Sequence, residues 1–172
     1  SDRVGCRINT LRCDVLQLPE ESQFDVVCTH SFLGRFPHEK RVQLVEKWRR
    51  VLRPGGRVVT VKRIRPGSSG EPTGFSPAEI QAFRDKVLNA AGALRASHAI
   101  DPLELAEEAR IWASRRRTWP VRSSEEILAL FESSGFKVDR LSCSPVRSTR
   151  SGLSGPSTLG SADYAQIVAT RL

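Results

Sequence analysis

Methionine is absent from all 172 residues, and histidine, tyrosine and cysteine are scarce, with three, one and four copies. The missing methionine predicts that the sequence is a fragment of a longer chain, because it contains no initiator residue. None of the cysteines forms a Cys-x-x-Cys pair, so the sequence predicts no metal site and no disulfide framework. Unpaired cysteines are typical of a reducing compartment, and we therefore expect a cytoplasmic protein.

Long apolar runs are also missing. No segment approaches the roughly 18 apolar residues that a transmembrane helix requires, so we expect no membrane contact. Hydrophobic residues make up 39% of the chain and charged residues 27%, which is ordinary for a globular protein. A chain of 172 residues is long enough to bury the core of one domain.

Acidic residues are outnumbered by basic ones, 19 to 27, which gives a net charge of +8. One interpretation is a nucleic-acid partner, and the other is an arginine-rich, solvated surface. The densest basic run, residues 115–117, lies between Trp112 and Trp119. These residues either stack on nucleic-acid bases, or hold a small anionic substrate, or place cations at the negative end of a helix beside two core tryptophans.

Strand-like and helix-like segments alternate along the chain, which predicts an α/β fold. Because no helix separates the last two predicted strands, we expect them to pair antiparallel. The predicted strands are residues 7–13, 24–29, 57–61, 136–141 and 164–170.

Helix signals occur in two places. A first helix begins at Pro37 and ends before the Pro-Gly-Gly string at 54–56. Three further helices fill residues 76–134, each opened by a capping residue. Their expected capping residues are Ser76, Asp101 and Ser123, and the second of them is expected to bury Leu105, Ala109 and Trp112.

Three strings make the pattern specific: CDVLQLP at 13–19, FDVVCTHSFLGRFP at 24–37 and WRRVLRPGGRVV at 48–59. In this order and spacing they resemble the middle and later motifs of class I S-adenosylmethionine-dependent methyltransferases. The resemblance is carried by motifs over residues 7–64 and by architecture alone over residues 120–172.

The resemblance implies a Rossmann-like, mostly parallel sheet with a C-terminal antiparallel strand pair and a helical insert at 76–134. It also implies that residues 1–172 are a single partial domain without the family's first two strands, its glycine-rich loop and its ribose-binding acid. The implied activity is methyl transfer from S-adenosylmethionine to a small molecule, with weak or absent cofactor binding by the chain alone. Two alternatives remain: a non-catalytic, partner-binding module and an RNA methyltransferase.

Five residues match the family's cofactor site. Asp14 matches the position that accepts a hydrogen bond from the adenine amino group, although a turn aspartate that bonds its own backbone has the same appearance. Val15 matches the residue that gives the adenine ring a backbone amide and an apolar contact. Thr29, His30 and Ser31 end the central strand, where the methionine part of the cofactor and then the substrate lie in the family.

His30 and Arg35 are the candidate catalytic residues. His30 either orients the acceptor or removes a proton from it, or it is simply polar because the strand end meets solvent. Arg35 either holds a substrate carboxylate or is a surface arginine. Lys62 and Arg63 end the next strand on the same rim, with the same two interpretations.

The missing strands have a structural consequence. Without them the apolar strand at 24–29 presents an unpaired edge, and such edges pair with other chains. We therefore expect self-association, or pairing with another polypeptide, through this strand.

Overall fold

The structure is a computed structural model that describes residues 8–19, 23–93, 101–145 and 163–172. Its strands and helices alternate, which confirms the predicted α/β class. The elements are β1 Phe24–His30, α1 His38–Val51, β2 Leu52–Ile64, α2 Pro77–Ala93, α3 Pro102–Arg115, α4 Ser124–Ser133, β3 Phe136–Pro145 and β4 Asp163–Arg171, with short 3-10 helices at Val15–Gln17 and Leu33–Arg35.

The strands form one sheet in the order β1-β2-β4-β3. β1 and β2 run parallel because α1 connects them, whereas β4 pairs antiparallel with both β2 and β3. The predicted antiparallel pair at the C-terminus is thus confirmed. Among the described residues β1 has one neighbour only and forms an edge of the sheet.

One face of the sheet is covered by α1 and α4. Alternate residues of β2 and β4 point into this layer, since side chains alternate across a strand. Burying each large apolar side chain contributes about 1.5–3 kcal/mol. The side chains at the centre, all at most 2% exposed, are Leu44, Val45, Trp48, Val58, Ile127, Phe131, Phe136, Ala165, Ile167 and Ala169.

The opposite face of the sheet is open over the described part of the chain. Val26 and Val59 occupy it and are 50% and 38% exposed, although both are apolar strand residues. The adjacent residues Val27 and Val58, which pair in register with each other, point to the covered face and are less accessible. The fold thus has one packed face and one accessible face.

The helix starts follow the sequence signals. Ser76 Oγ accepts from the Glu79 amide at 3.3 Å while the Glu79 carboxylate accepts from the Ser76 amide at 2.7 Å, a reciprocal capping box. Asp101 and Ser123 cap α3 and α4 with a single bond each, accepting from the amides of Leu103 and Glu126. In the described part of the chain, no helix has the length and apolar character needed to cross a bilayer.

The predicted strand at 7–13 is wrong over the residues that the structure describes. Residues 8–14 form no strand, and Ile8 and Leu11 are 81% and 71% exposed. A strand requires a hydrogen-bonded neighbour, and no described strand lies alongside this segment to supply one.

The predicted buried face of α3 is also wrong. Pro102, Ala106 and Ala113 are buried, whereas Leu105 and Trp112 are 38% and 47% exposed. α3 packs chiefly against α2 rather than against the sheet, and Trp112 contacts Phe83 of α2 while staying partly exposed. Trp112 is therefore not a core tryptophan.

Candidate functional site

A groove runs along the outer edge of β1, where the sheet has no further described strand. Its volume is about 480 Å³, and its open side faces solvent. We call it the edge groove, and its walls are Val15, Leu18, Phe24, Val26, Val27, Cys28, Thr29, His30, Phe32, Trp48 and Val51.

Asp14 and Val15 lie where the chain approaches this groove. The Asp14 carboxylate is exposed and accepts from the Leu16 amide at 3.0 Å, which caps the 3-10 helix Val15–Gln17. This is the bond of a turn aspartate. Val15 is half-buried and forms part of the groove wall, whereas Asp14 does not.

Thr29 and His30 form the end of the edge groove at the carboxyl end of β1. The Thr29 hydroxyl donates to Thr60 Oγ1 at 2.7 Å, which ties β1 to β2. The His30 ring is exposed on the open face of the sheet, with its centroid 6.3 Å from that of Tyr164.

Ser31 turns the chain out of the sheet. Its φ of 53° is the one left-handed value at a non-glycine residue in the described part of the chain, and its amide donates to Val61 O at 2.7 Å. Such a conformation costs a non-glycine residue about 1–2 kcal/mol and is found most often at functional sites. The turn carries Ser31 away from the edge groove and into the wall of a second cavity.

The second cavity has a volume of about 90 Å³ and lies beyond the carboxyl ends of β1 and β2. Five of its wall residues are cationic and none is acidic. We call it the basic pocket, and its walls are Ser31, Gly34, Arg35, Lys62, Arg63, Arg65, Arg116, Thr118, Pro120 and Tyr164.

Lys62 is the most buried cation of this pocket, at 3% exposed. Burial lowers the pKa of its ammonium to about 7, with smaller contributions in the same direction from Arg41, Arg65 and Arg35, while Glu126 acts in the opposite direction. Gly34 makes room for this side chain, because a methyl group on Gly34 would collide with Lys62 Nζ.

Arg41 of α1 holds the walls of the basic pocket together. It is 2% exposed, and its Nε donates to the carbonyls of Leu33 and Phe36, both at 3.2 Å. Nη1 donates to Glu126 Oε1 at 2.9 Å, and Nη2 donates to the carbonyls of Trp119 and Pro120 at 2.8 and 3.0 Å. The guanidinium thus joins α1, the 3-10 helix Leu33–Arg35, the segment before α4 and α4 itself.

Arg116 reaches the basic pocket from the end of α3. Its guanidinium carbon lies 4.5 Å from the centroid of the Trp112 ring, a cation–π contact. Trp112 in turn packs against Phe83 and Phe75, with ring centroids 5.6 and 6.2 Å away. These aromatic rings hold an otherwise long and flexible cation at the pocket.

Comparison with known proteins identifies the fold. A family model described as a methyltransferase domain matches residues 1–56. An S-adenosylmethionine-dependent methyltransferase from Methanosarcina mazei superposes with a TM-score of 0.53 at 18% identity, over 92% of this chain and 65% of that one. The fold is that of a class I methyltransferase. No curated protein matches the sequence.

Two further structures share this methyltransferase fold. One is the 1,6-didemethyltoxoflavin-N1-methyltransferase of Burkholderia thailandensis, with a TM-score of 0.52 at 14% identity over 92% of this chain and 48% of that one. The other is a geranyl diphosphate methyltransferase, with a TM-score of 0.50 at 16% identity over 93% and 56%. This chain thus spans between about half and two thirds of the length of these three structures.

Within this methyltransferase fold the predicted site residues fall into three places. Val15, Thr29 and His30 line the edge groove, and Ser31 and Arg35 line the basic pocket. Asp14 lines neither. The roles of all six residues remain predictions.

Sequence reasoning missed several residues of the basic pocket. Arg65, Thr118 and Tyr164 come from separate segments of the chain, and no local pattern marks them. Arg116 belongs to the Arg-Arg-Arg run between two tryptophans, which is the one signal that the sequence offered. Lys62 and Arg63 were noted at the end of a strand, but the burial of Lys62 was not expected.

Proposed function

We propose that this chain takes part in methyl transfer from S-adenosylmethionine to a small molecule, with the edge groove as one wall of the cofactor site. The observation that carries the proposal is a groove that reaches the carboxyl end of β1 in a chain with a methyltransferase fold. In open α/β sheets, ligands bind outside these strand ends.

The residues of the edge groove fit part of the cofactor. Its volume of about 480 Å³ lies within the range of about 300–1,000 Å³ typical of small-molecule sites. Val15, Leu18 and Phe32 offer apolar surface to the adenine ring, and Thr29 and His30 offer polar groups at the strand end. Among the described walls no carboxylate is available to the ribose hydroxyls, so we expect weak binding by this chain.

S-adenosylmethionine, when bound, supplies a methyl group that its sulfonium has already activated. The protein has then to hold the accepting atom in line and to exclude water, and such alignment accounts for much of the acceleration. His30 lies at the carboxyl end of β1 in the edge groove, and we propose that it contacts the acceptor there. The accepting atom is itself the nucleophile, so no nucleophilic side chain of the protein is needed.

The size of the cavities supports a small acceptor. The basic pocket holds about 90 Å³, which is too little for a nucleotide. Two structures of the same fold are a 1,6-didemethyltoxoflavin methyltransferase and a geranyl diphosphate methyltransferase, and both of those acceptors are small molecules.

Cofactor binding is tested by an amide NMR titration with S-adenosylhomocysteine. We expect shifts at Val15, Thr29 and His30 and a dissociation constant that His30→Ala raises about five-fold, the equivalent of one hydrogen bond. His38→Ala is the matched control, since His38 is exposed on α1 and lines no part of the edge groove.

Two results of this titration would contradict the proposal. One is an unchanged spectrum at millimolar S-adenosylhomocysteine. The other is a set of shifts confined to residues outside the edge groove.

We also propose that two copies pair through the edge of β1 when no cofactor occupies the edge groove, which this strand also lines. Phe24 and Val26 on this edge are 47% and 50% exposed, and an apolar strand edge is a template for pairing. Light scattering should report a mass that rises with concentration, and Val26→Lys should abolish the rise, with Val42→Lys on the outer surface of α1 as control. A monomer at every concentration would refute this pairing.

A further inference from the structure

The basic pocket is an arrangement of charge that the fold alone does not require. Its walls carry the side chains of Arg35, Lys62, Arg63, Arg65 and Arg116 and no carboxylate. Like charges brought together in a cavity repel one another, and burial strengthens the repulsion because solvent screening is lost. Such an arrangement is stabilised when an anion enters.

Lys62 shows the imbalance most clearly. Within the described ranges no salt bridge joins its ammonium to a carboxylate, although the side chain is 3% exposed. The charged groups that act on it are Arg41 of α1, Arg35 of the 3-10 helix, Arg65 after β2 and Glu126 of α4. Three of these four are cations, and the carboxylate of Glu126 is already bound by Arg41 at 2.9 Å.

Thr118 provides a second, independent observation. It is 8% exposed, and its hydroxyl Oγ1 is buried with no hydrogen-bond partner among the described residues. Its backbone is fixed, since the amides of Thr118 and Thr73 each donate to the other's carbonyl at 2.9 Å. A buried hydroxyl without a partner is unfavourable by about 1–3 kcal/mol, so a ligand oxygen at this position is favoured.

The position of the basic pocket connects it to the proposed reaction. Thr29 and His30 end in the edge groove, and the next residue, Ser31, forms part of the pocket wall. A molecule that presents its methyl-accepting atom at His30 can therefore extend past Ser31 into the basic pocket. The volume of about 90 Å³ admits a carboxylate or a single phosphate group.

We infer that the methyl acceptor carries a small oxyanion, a carboxylate or a phosphate, and that the basic pocket binds this group through Lys62, Arg116 and Thr118. The inference rests on the proposed methyl transfer for the acceptor itself, but the anion site stands on the pocket alone. Guanidinium and ammonium groups bind such oxyanions by charge-assisted hydrogen bonds.

Calorimetric titration of inorganic phosphate and of acetate into the protein at pH 8 tests the site. We expect binding of at least one of the two anions, and the tighter one identifies the group. Proton uptake should accompany binding, seen as a heat that changes with the buffer, because an anion beside Lys62 raises the pKa of its ammonium. A role of Lys62 in packing alone would produce no proton uptake.

Three variants sharpen the measurement. Lys62→Met and Arg116→Gln should weaken anion binding by about ten-fold or more, the loss of one charge-assisted bond. Arg57→Gln removes the same charge from the far end of β2 on the open face and should leave the affinity unchanged. Equal losses in all three variants, or no binding of either anion to the unmodified protein, would overturn the inference.

The same samples separate this inference from the proposed function. S-adenosylhomocysteine binding that persists in Lys62→Met, together with absent anion binding in the unmodified protein, refutes the basic pocket and leaves the methyltransferase proposal intact. Anion binding without S-adenosylhomocysteine binding supports the basic pocket and refutes the methyltransferase proposal. A single-stranded oligonucleotide that binds where phosphate does not, with a steep dependence on salt, would replace the small acceptor by nucleic acid.

Discussion

Arg41 and Lys62 are neighbouring buried cations, and their surroundings differ completely. Arg41, 2% exposed, donates to a carboxylate and to four backbone carbonyls. Lys62, 3% exposed, points into a cavity walled by four arginines. A buried charge that is fully paired organises the structure around it, whereas one that lacks an opposite charge indicates where a ligand binds.

Replacing Arg41 should produce the largest effect. Arg41→Met leaves the Glu126 carboxylate without its ion pair and frees four carbonyls, so we expect a loss of about 3–5 kcal/mol in the free energy of unfolding. Urea denaturation measures this, with Lys40→Met on the exposed side of the same helix as control, expected within about 0.5 kcal/mol. A loss below about 1 kcal/mol for Arg41→Met would remove its assigned role.

Replacing Lys62 by methionine should raise the free energy of unfolding, whereas replacing Arg41 lowers it. Lys62→Met removes a buried charge that forms no salt bridge within the described residues and keeps an apolar side chain of similar length, so we expect a gain of about 1–3 kcal/mol in the free energy of unfolding in the absence of anions. A loss of stability comparable to that of Arg41→Met would show that the two cations do not differ as described.

The gain in the free energy of unfolding expected for Lys62→Met decreases as the pH rises. The folded protein holds the pKa of Lys62 at about 7, below its ordinary value of 10.5, so between these values the unfolded chain binds more protons. The free energy of unfolding of the unmodified protein therefore rises with pH across this interval. The advantage of Lys62→Met should be greatest below pH 7 and should fade as the pH approaches about 10.5.

Local features of the fold could be predicted from the sequence because short-range chemistry decides them. Ser76, Asp101 and Ser123 cap helices through their own neighbours in the chain, and Gly135 adopts a φ of 80° just after α4. The apolar run at 24–29 became β1 because β-branched residues in a short run favour a strand, although none of its residues is fully buried.

Features that depend on tertiary contacts could not be predicted. Residues 8–13 have strand composition, but a strand forms only beside a partner. Leu105 and Trp112 have helical spacing, yet α3 packs chiefly on α2, and its fully buried positions are Pro102, Ala106 and Ala113. In α1 the charged Arg41 is buried while the apolar Val42 is 38% exposed, because the hydrogen-bond partners of Arg41 come from distant segments.

The candidate site shows the same division. The residues at the end of β1 were identified from motifs, since they are consecutive in the chain. The basic pocket assembles residues 31–35, 62–65, 116–120 and 164, and no local pattern links them. Hydrophobic patterning does not predict that Lys62 is buried, because a lysine is taken as a solvent-facing residue even at an inward position of β2.

The central claim is that Lys62 is a buried cation in a site built for an oxyanion, and its pKa tests this most directly. NMR titration of the lysine ammonium groups, with Lys62→Met to assign the signal, should give a pKa of about 7 for Lys62 that rises when phosphate or acetate binds. A pKa near the ordinary value of 10.5, unchanged by either anion, would contradict the account.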